Sequence, residues 1–180
     1  MPNTVEQFNS IIKNCSDIFA KKMKDYGTSW RIMRLSSITD QLFIKAQRIR
    51  SIEEKGFSKV DEGVKPEFIA MVNYCVMGLI QMELGNDARI ELPAVEVVGL
   101  YEKHITEARD LMLDKNHDYG EAWREMRISS LTDLILMKIY RTKQIEDNDG
   151  ETLISEGVDA NYHDIINYSI FALIRLEYDN

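Results

Sequence analysis

The chain carries one pattern of residues twice. Asp25-Tyr26-Gly27 returns as Asp118-Tyr119-Gly120, an offset of 93 positions, and segment 34–40 returns as 127–133 with two conservative changes. Further repeated pairs are Trp30 and Trp123, Lys45 and Lys138, Arg48 and Arg141 and, at an offset of 94, Asn73 and Asn167. Agreement this long and this well ordered indicates a tandem duplication, so the two copies should fold alike.

Each copy predicts a set of helices. The chain has only three prolines and nine glycines among 180 residues, and its frequent Met, Leu, Ile, Lys, Glu and Arg favour helices over strands. Apolar residues recur at helical spacing in both copies. The first helices are predicted at 4–24 and 94–116 and the last at 65–84 and 159–178, while the second should begin at the Ser-x-x-Asp segments 37–40 and 130–133, which resemble capping boxes.

The two copies define the predicted domain organisation. We expect a first helical repeat at 1–85, a linker at 86–93 and a second helical repeat at 94–180. Gly27 and Gly120 should end the first helix of each repeat with a left-handed backbone conformation. The expected fold class is all-α, with the two repeated units packed as one pseudo-twofold helical bundle.

Charge and composition limit the possible partners. The net charge of −8 argues against direct binding to a nucleic-acid backbone, but it leaves room for a small phosphorylated ligand in a locally basic pocket. The N-terminal residues do not resemble a signal peptide, and no apolar run approaches the roughly 18 residues of a membrane span. Cys15 and Cys75 follow no pairing or metal-binding pattern. We therefore expect a cytoplasmic protein with buried reduced thiols and no membrane partner.

The second long helix has basic residues in its apolar stripe. Lys45 and Arg48 in the first repeat, and Lys138 and Arg141 in the second, occupy positions where the helical period calls for apolar side chains. Residues three apart lie on one face of a helix. Because an unpaired buried charge is costly, an inward basic pair predicts an anionic partner.

The last helix carries matching polar residues. Asp164 and Asn167 fall at core-facing positions in the second repeat, whereas the first repeat has Ala70 and Asn73. Either the basic residues only form structural salt bridges with such carboxylates, or the carboxylates hold Mg²⁺ while the basic groups hold phosphate oxygens. Both interpretations remain open from the residues alone.

The polar motifs together resemble a known family. Lys115-x-x-Asp118-Tyr119-Gly120-x-x-Trp123, the Lys-x-x-Arg of the next helix and Asp164-Ile-Ile-Asn167-Tyr168 are similar to the nucleotide modification associated domain 1 family of phages and bacteria. The resemblance covers both repeats and implies action on nucleotides or modified bases. Repeat two fits better, since repeat one departs from the pattern at Ala70.

The helical layout also resembles the MazG-like all-alpha nucleotide pyrophosphohydrolases, which hold Mg²⁺ with helix carboxylates. Their first metal-binding element is Glu-x-x-Glu. The closest counterpart here is Glu107-x-x-Asp110, which becomes Asn14-x-x-Asp17 in the first repeat. This likeness is therefore one of architecture, and architecture alone does not set activity.

These observations lead to one functional hypothesis and two alternatives. The hypothesis is a nucleotide-processing enzyme, for example one that hydrolyses a nucleoside or related triphosphate with Mg²⁺. The first alternative is a non-catalytic nucleotide sensor, and the second is a structural or interaction protein; either a monomer or a homodimer would fit. The candidate catalytic residues are Asp118, Asp164 and Asn167; the candidate metal ligands are Asp118 and Asp164, with Asp25 weaker; the candidate substrate-binding residues are Lys115, Tyr119, Lys138, Arg141, Lys45, Arg48 and Asn73.

Overall fold

A computed structural model describes residues 3–56 and 63–179. These residues form six α-helices and two short 3-10 helices, with no strand in the described part of the chain. The all-α class and the repeated helical unit are therefore confirmed. The helices are α1 (Thr4–Tyr26), α2 (Leu35–Lys55), α3 (Lys65–Leu84), α4 (Ala94–Tyr119), α5 (Ile128–Asp147) and α6 (Val158–Tyr178), and the 3-10 helices span Ser29–Ile32 and Ala122–Glu125.

The packing of the helices is twofold symmetric. Helix α3 of the first repeat packs on α6 of the second, and α2 packs on α5. Within the repeats, α2 contacts α3 as α5 contacts α6, and across them α1 contacts α6 as α4 contacts α3. The hydrophobic core lies between these helices and buries apolar residues of both repeats. Each repeat thus completes the core of the other.

Polar contacts repeat across the same interface. The Thr39 hydroxyl donates to Glu146 at 2.6 Å, and its counterpart Thr132 donates to Glu53 at 3.3 Å. Burial raises the pKa of both glutamates. The interface between α2 and α5 is therefore matched in polar as well as apolar contacts.

The first helix of each repeat ends later than the sequence predicts. Helices α1 and α4 continue through the Asp-Tyr pair to Tyr26 and Tyr119, and the chain then turns at Gly27 and Gly120. Both glycines have positive φ angles of 65° and 62°, as expected. Their ψ angles of −141° and −150° lie outside the left-handed helical region, so the turn differs from the predicted cap.

The predicted capping boxes are wrong. Helices α2 and α5 begin two residues earlier, with extended Arg34 and Arg127 as the capping residues and no side-chain cap. The Arg34 carbonyl accepts directly from the backbone N–H of Ser37, so this serine lies inside the first turn. Asp40, the last residue of the predicted box, forms instead an ion pair of 3.2 Å with Lys143 of the other repeat.

Two further features concern burial. Cys15 and Cys75 are buried free thiols, as predicted. In the described part of the chain, α3 alone is long and apolar enough to cross a membrane by length and composition. Most of that helix is buried within the fold, and a core helix passes the same test.

Candidate functional site

Two cavities occupy equivalent places in the two repeats. Each lies between the end of the first helix, the following 3-10 helix and the last helix of one repeat. The first-repeat cavity has a volume of about 190 Å³ and the second-repeat cavity about 420 Å³. Equivalent lining pairs are Lys22 and Lys115, Tyr26 and Tyr119, Trp30 and Trp123, Ala70 and Asp164, Asn73 and Asn167, and Tyr74 and Tyr168.

Asp164 is the charged centre of the second-repeat cavity. Lys115 from α4 donates to its Oδ1 atom at 2.8 Å, and Lys138 from α5 lies 2.8 Å from its Oδ2 atom. Burial acts to raise the pKa of Asp164, but the two lysines outweigh burial and the pKa lies below its usual range. The inward Lys138 therefore has the anionic partner that its position in the stripe predicts.

Asn167 and Asn73 tie the last helix of each repeat to the first. The Nδ2 atom of Asn167 donates to the Ala108 carbonyl at 3.0 Å, and that of Asn73 donates to the Cys15 carbonyl at 3.1 Å. The Oδ1 atom of Asn73 also accepts a 2.7 Å hydrogen bond from the Tyr101 hydroxyl. Both amides thus have a structural role that the sequence alone does not reveal.

The acceptor side of Asn167 is unpaired. Its buried Oδ1 atom has no hydrogen-bond partner among the described residues. In the first repeat this bond comes from Tyr101, whose counterpart at the offset of 93 is Phe8, which has no hydroxyl. A buried amide oxygen without a partner is costly, so this atom is suited to accept a bond from a ligand or water.

Trp123 lines the same cavity. Its indole ring is buried and stacks on Phe171, with centroids 4.2 Å apart and planes 5° apart. The Nε1 atom is buried and has no partner in the described part of the chain. Trp123 and Asn167 therefore both line the cavity, and each carries a buried polar atom without a partner among the described residues.

A third, more open cavity adjoins the second-repeat cavity. It has a volume of about 690 Å³ and is lined by Lys138, Arg141 and the connection between α5 and α6. Arg141 is exposed and makes no ion pair with a described residue. Lys138 therefore connects the two cavities of the second repeat: it lines the open cavity, and its ion-pair partner Asp164 lines the other.

In the first repeat the basic pair has a different partner. Lys45 and Arg48 lie 3.5 Å and 2.9 Å from Glu67, which is buried on α3. Glu67 stands one helical turn before Ala70, on the same face, so the acid has moved by one turn between the repeats. That three-residue spacing was the signal in the sequence, but Glu67 was not among the predicted site residues.

The predicted metal ligands do not gather at one place. The Asp118 side chain is 74% exposed, contacts His117 at 3.1 Å and does not line the cavity. Asp25 is likewise exposed. No three His, Cys, Asp or Glu side chains within the described ranges come close enough to hold a metal ion. Since a lysine occupies each oxygen of Asp164, this donor set does not fit a resident Mg²⁺.

Comparison with known families supports the duplication. The family model for nucleotide modification associated domain 1 matches the chain twice, over residues 22–82 and 115–176. The matches fall one in each repeat, cover well over half of the chain and confirm the resemblance seen in the motifs. No curated protein and no solved structure matches the chain, and the likeness to the MazG-like pyrophosphohydrolases stays a prediction. The chain belongs to the nucleotide modification associated domain 1 family.

Proposed function

We propose that the second repeat binds a nucleotide, with its base in the second-repeat cavity and its phosphates beside Lys138 and Arg141. One observation carries the proposal: Asn167 and Trp123, each with a buried polar atom that has no partner among the described residues, line a cavity close to basic side chains. A nucleobase has hydrogen-bond donors and acceptors along one edge, and a nucleotide carries phosphate groups in addition. One nucleotide could therefore use both the polar and the basic groups of this site.

The walls of the cavity suit a planar ring. Tyr119 and Tyr168 line it together with the stacked Trp123 and Phe171. Stacking of a base on an aromatic side chain contributes about 1–3 kcal/mol. Tyr119 is 77% exposed, so a bound ring would also remove this large side chain from water.

The charges suit phosphate. Lys115 and Lys138 contact the Asp164 carboxylate, and Arg141 lines the adjoining cavity together with Lys138, Glu151 and Glu156. Arg141 has no ion-pair partner in the described part of the chain and is available for two parallel hydrogen bonds to phosphate oxygens. Asp164 then serves to hold the two lysines in position.

The proposal concerns binding and assigns no resident metal. The described residues supply no group of three His, Cys, Asp or Glu side chains that could hold Mg²⁺. A nucleoside triphosphate can also bind as its magnesium complex. Titrations with and without Mg²⁺ distinguish binding of this complex from binding of the nucleotide alone.

Arg141→Ala should weaken nucleoside triphosphate binding by at least about tenfold, because a hydrogen bond to a charged group contributes about 1.5–3 kcal/mol. The matched control is Arg48→Ala, the equivalent change in the first repeat, where the guanidinium forms an ion pair with Glu67 at 2.9 Å. Isothermal titration calorimetry of both variants against the unmodified chain measures the difference.

Equal affinity in Arg141→Ala and the unmodified chain would refute the assignment of the phosphates to this helix. Release of phosphate or pyrophosphate during the same titrations, followed by chromatography of the nucleotide, would add turnover to binding. Affinity that is unchanged by Mg²⁺ and unaccompanied by turnover would favour the sensor.

A further inference from the structure

We infer that the first-repeat cavity is a second small-molecule site, which takes a single aromatic ring carrying one negative charge. This site is separate from the proposed nucleotide site, because the first-repeat cavity lies in the other repeat and differs in size, charge and hydrogen-bonding groups. The size, charge and polar atoms of the cavity each contribute to this inference.

The size of the cavity suits a ligand of one ring. Its volume of about 190 Å³ is less than half that of the second-repeat cavity. For comparison, an engineered apolar cavity of about 150 Å³ in another protein binds benzene. Apolar and aromatic residues form most of the wall, among them Phe19, Trp30, Ile69 and Met77.

The charge of the cavity favours an anion. Lys22 is the one charged residue of its lining, and it makes no ion pair with any residue in the described ranges. Its counterpart Lys115 is neutralised by Asp164, whereas the first repeat has Ala70 at that position. The displaced acid, Glu67, faces Lys45 and Arg48 on α2 instead.

The polar atoms of the cavity differ from those of the second repeat. The Asn73 amide already donates a hydrogen bond to the Cys15 carbonyl and accepts one from the Tyr101 hydroxyl. This residue is therefore not expected to hydrogen-bond to a nucleobase. Tyr26 and Tyr74 line the cavity, and the pKa of each is raised, chiefly by burial and also by a carboxylate, Asp25 for Tyr26 and Glu67 for Tyr74. Both hydroxyls therefore stay protonated and are suited, with Lys22, to donate to a carboxylate.

The two tryptophans of the chain allow each cavity to be observed separately. Trp30 lines the first-repeat cavity and Trp123 the second, and the chain has no other tryptophan. The Trp123→Phe chain therefore reports the first-repeat cavity alone. Titration of this chain with benzoate should give a saturable change in Trp30 emission, and neutral benzamide should bind about fivefold more weakly, the range expected for an exposed ion pair.

Two variants of the Trp123→Phe chain test the assignment. Ala70→Leu fills the cavity and should abolish the saturable change. Lys22→Gln, at an exposed position, should lower benzoate affinity about fivefold and leave benzamide affinity unchanged, as removal of one exposed charge predicts. Circular dichroism checks that both variants remain folded.

The inference is overturned if benzoate gives no saturable change in Trp30 emission, or if the change survives Ala70→Leu in a folded chain. It is also overturned if benzamide and benzoate bind equally well, since charge would then play no part. None of these outcomes bears on the second repeat, whose site lacks both Lys22 and Trp30.

Discussion

Replacing Gly78 with alanine is expected to lower the free energy of unfolding by about 1–3 kcal/mol, the cost of overpacking a well-packed core. Gly78 lies on α3, where an added Cβ atom would overlap the Cε2 atom of Tyr162. Tyr162 is fully buried, and its hydroxyl lies 2.7 Å from the Thr39 hydroxyl. The ring therefore cannot move aside without breaking contacts between the two repeats.

Gly99→Ala is the matched control. Gly99 lies within α4, and an added Cβ atom meets nothing within 4 Å. This change should stabilise the chain by up to about 1 kcal/mol, because alanine is the better helix former. Urea denaturation of both variants measures the difference, and a Gly78→Ala chain as stable as Gly99→Ala would contradict the described packing of α3 on α6.

Asp164→Ala is expected to cost about 3–5 kcal/mol of stability, the usual effect of removing one partner from a buried ion pair. The change leaves Lys138, whose side chain is only 13% exposed, without its partner at 2.8 Å. Lys115 is 48% exposed and can turn to water, so most of the cost should arise from Lys138.

A second substitution separates this cause from others. Adding Lys138→Met to Asp164→Ala removes the unpaired charge and should recover most of the lost stability, since apolar groups often replace buried ion pairs at little cost. Equal instability of the single and double variants would show that Asp164 stabilises the fold through other contacts.

The contribution of Asp164 should also depend on pH. The pKa of its carboxyl is lower in the folded chain than its usual value, so its stabilising effect is present above about pH 4 and is lost as pH falls through the folded pKa. The stability difference between the unmodified chain and Asp164→Asn should therefore shrink at acid pH. A difference that stays constant between pH 7 and pH 3 would contradict the ion pairs.

Much of the fold follows from the sequence because the repeat doubles every signal. The ranges predicted for the last helices differ from Lys65–Leu84 and Val158–Tyr178 by at most one residue. The inward position of Lys138 follows from the apolar period, and Asp164 is indeed its partner. The spacing of apolar residues and the positions of charged residues within a helix can both be seen directly in the sequence.

Other features depend on contacts that a linear pattern does not record. Helix α2 starts at Leu35, shortly after the 3-10 turn, whereas the Ser-x-x-Asp pattern suggested a later start. The free acceptor of Asn167 depends on the residue that the other repeat brings to it, a tyrosine in one case and its counterpart Phe8 in the other. Asp118 has the spacing of a site residue, but it lies at the helix end, in solvent.

The most direct test of nucleotide binding uses the Trp30→Phe chain, in which Trp123 is the only tryptophan. This chain is titrated with nucleoside mono-, di- and triphosphates, each with and without Mg²⁺, while its tryptophan emission is followed. We predict a saturable change in emission, with affinity that rises with the number of phosphates. No change in Trp123 emission with any of these ligands, in a chain that remains folded, would contradict a nucleotide site in the second repeat.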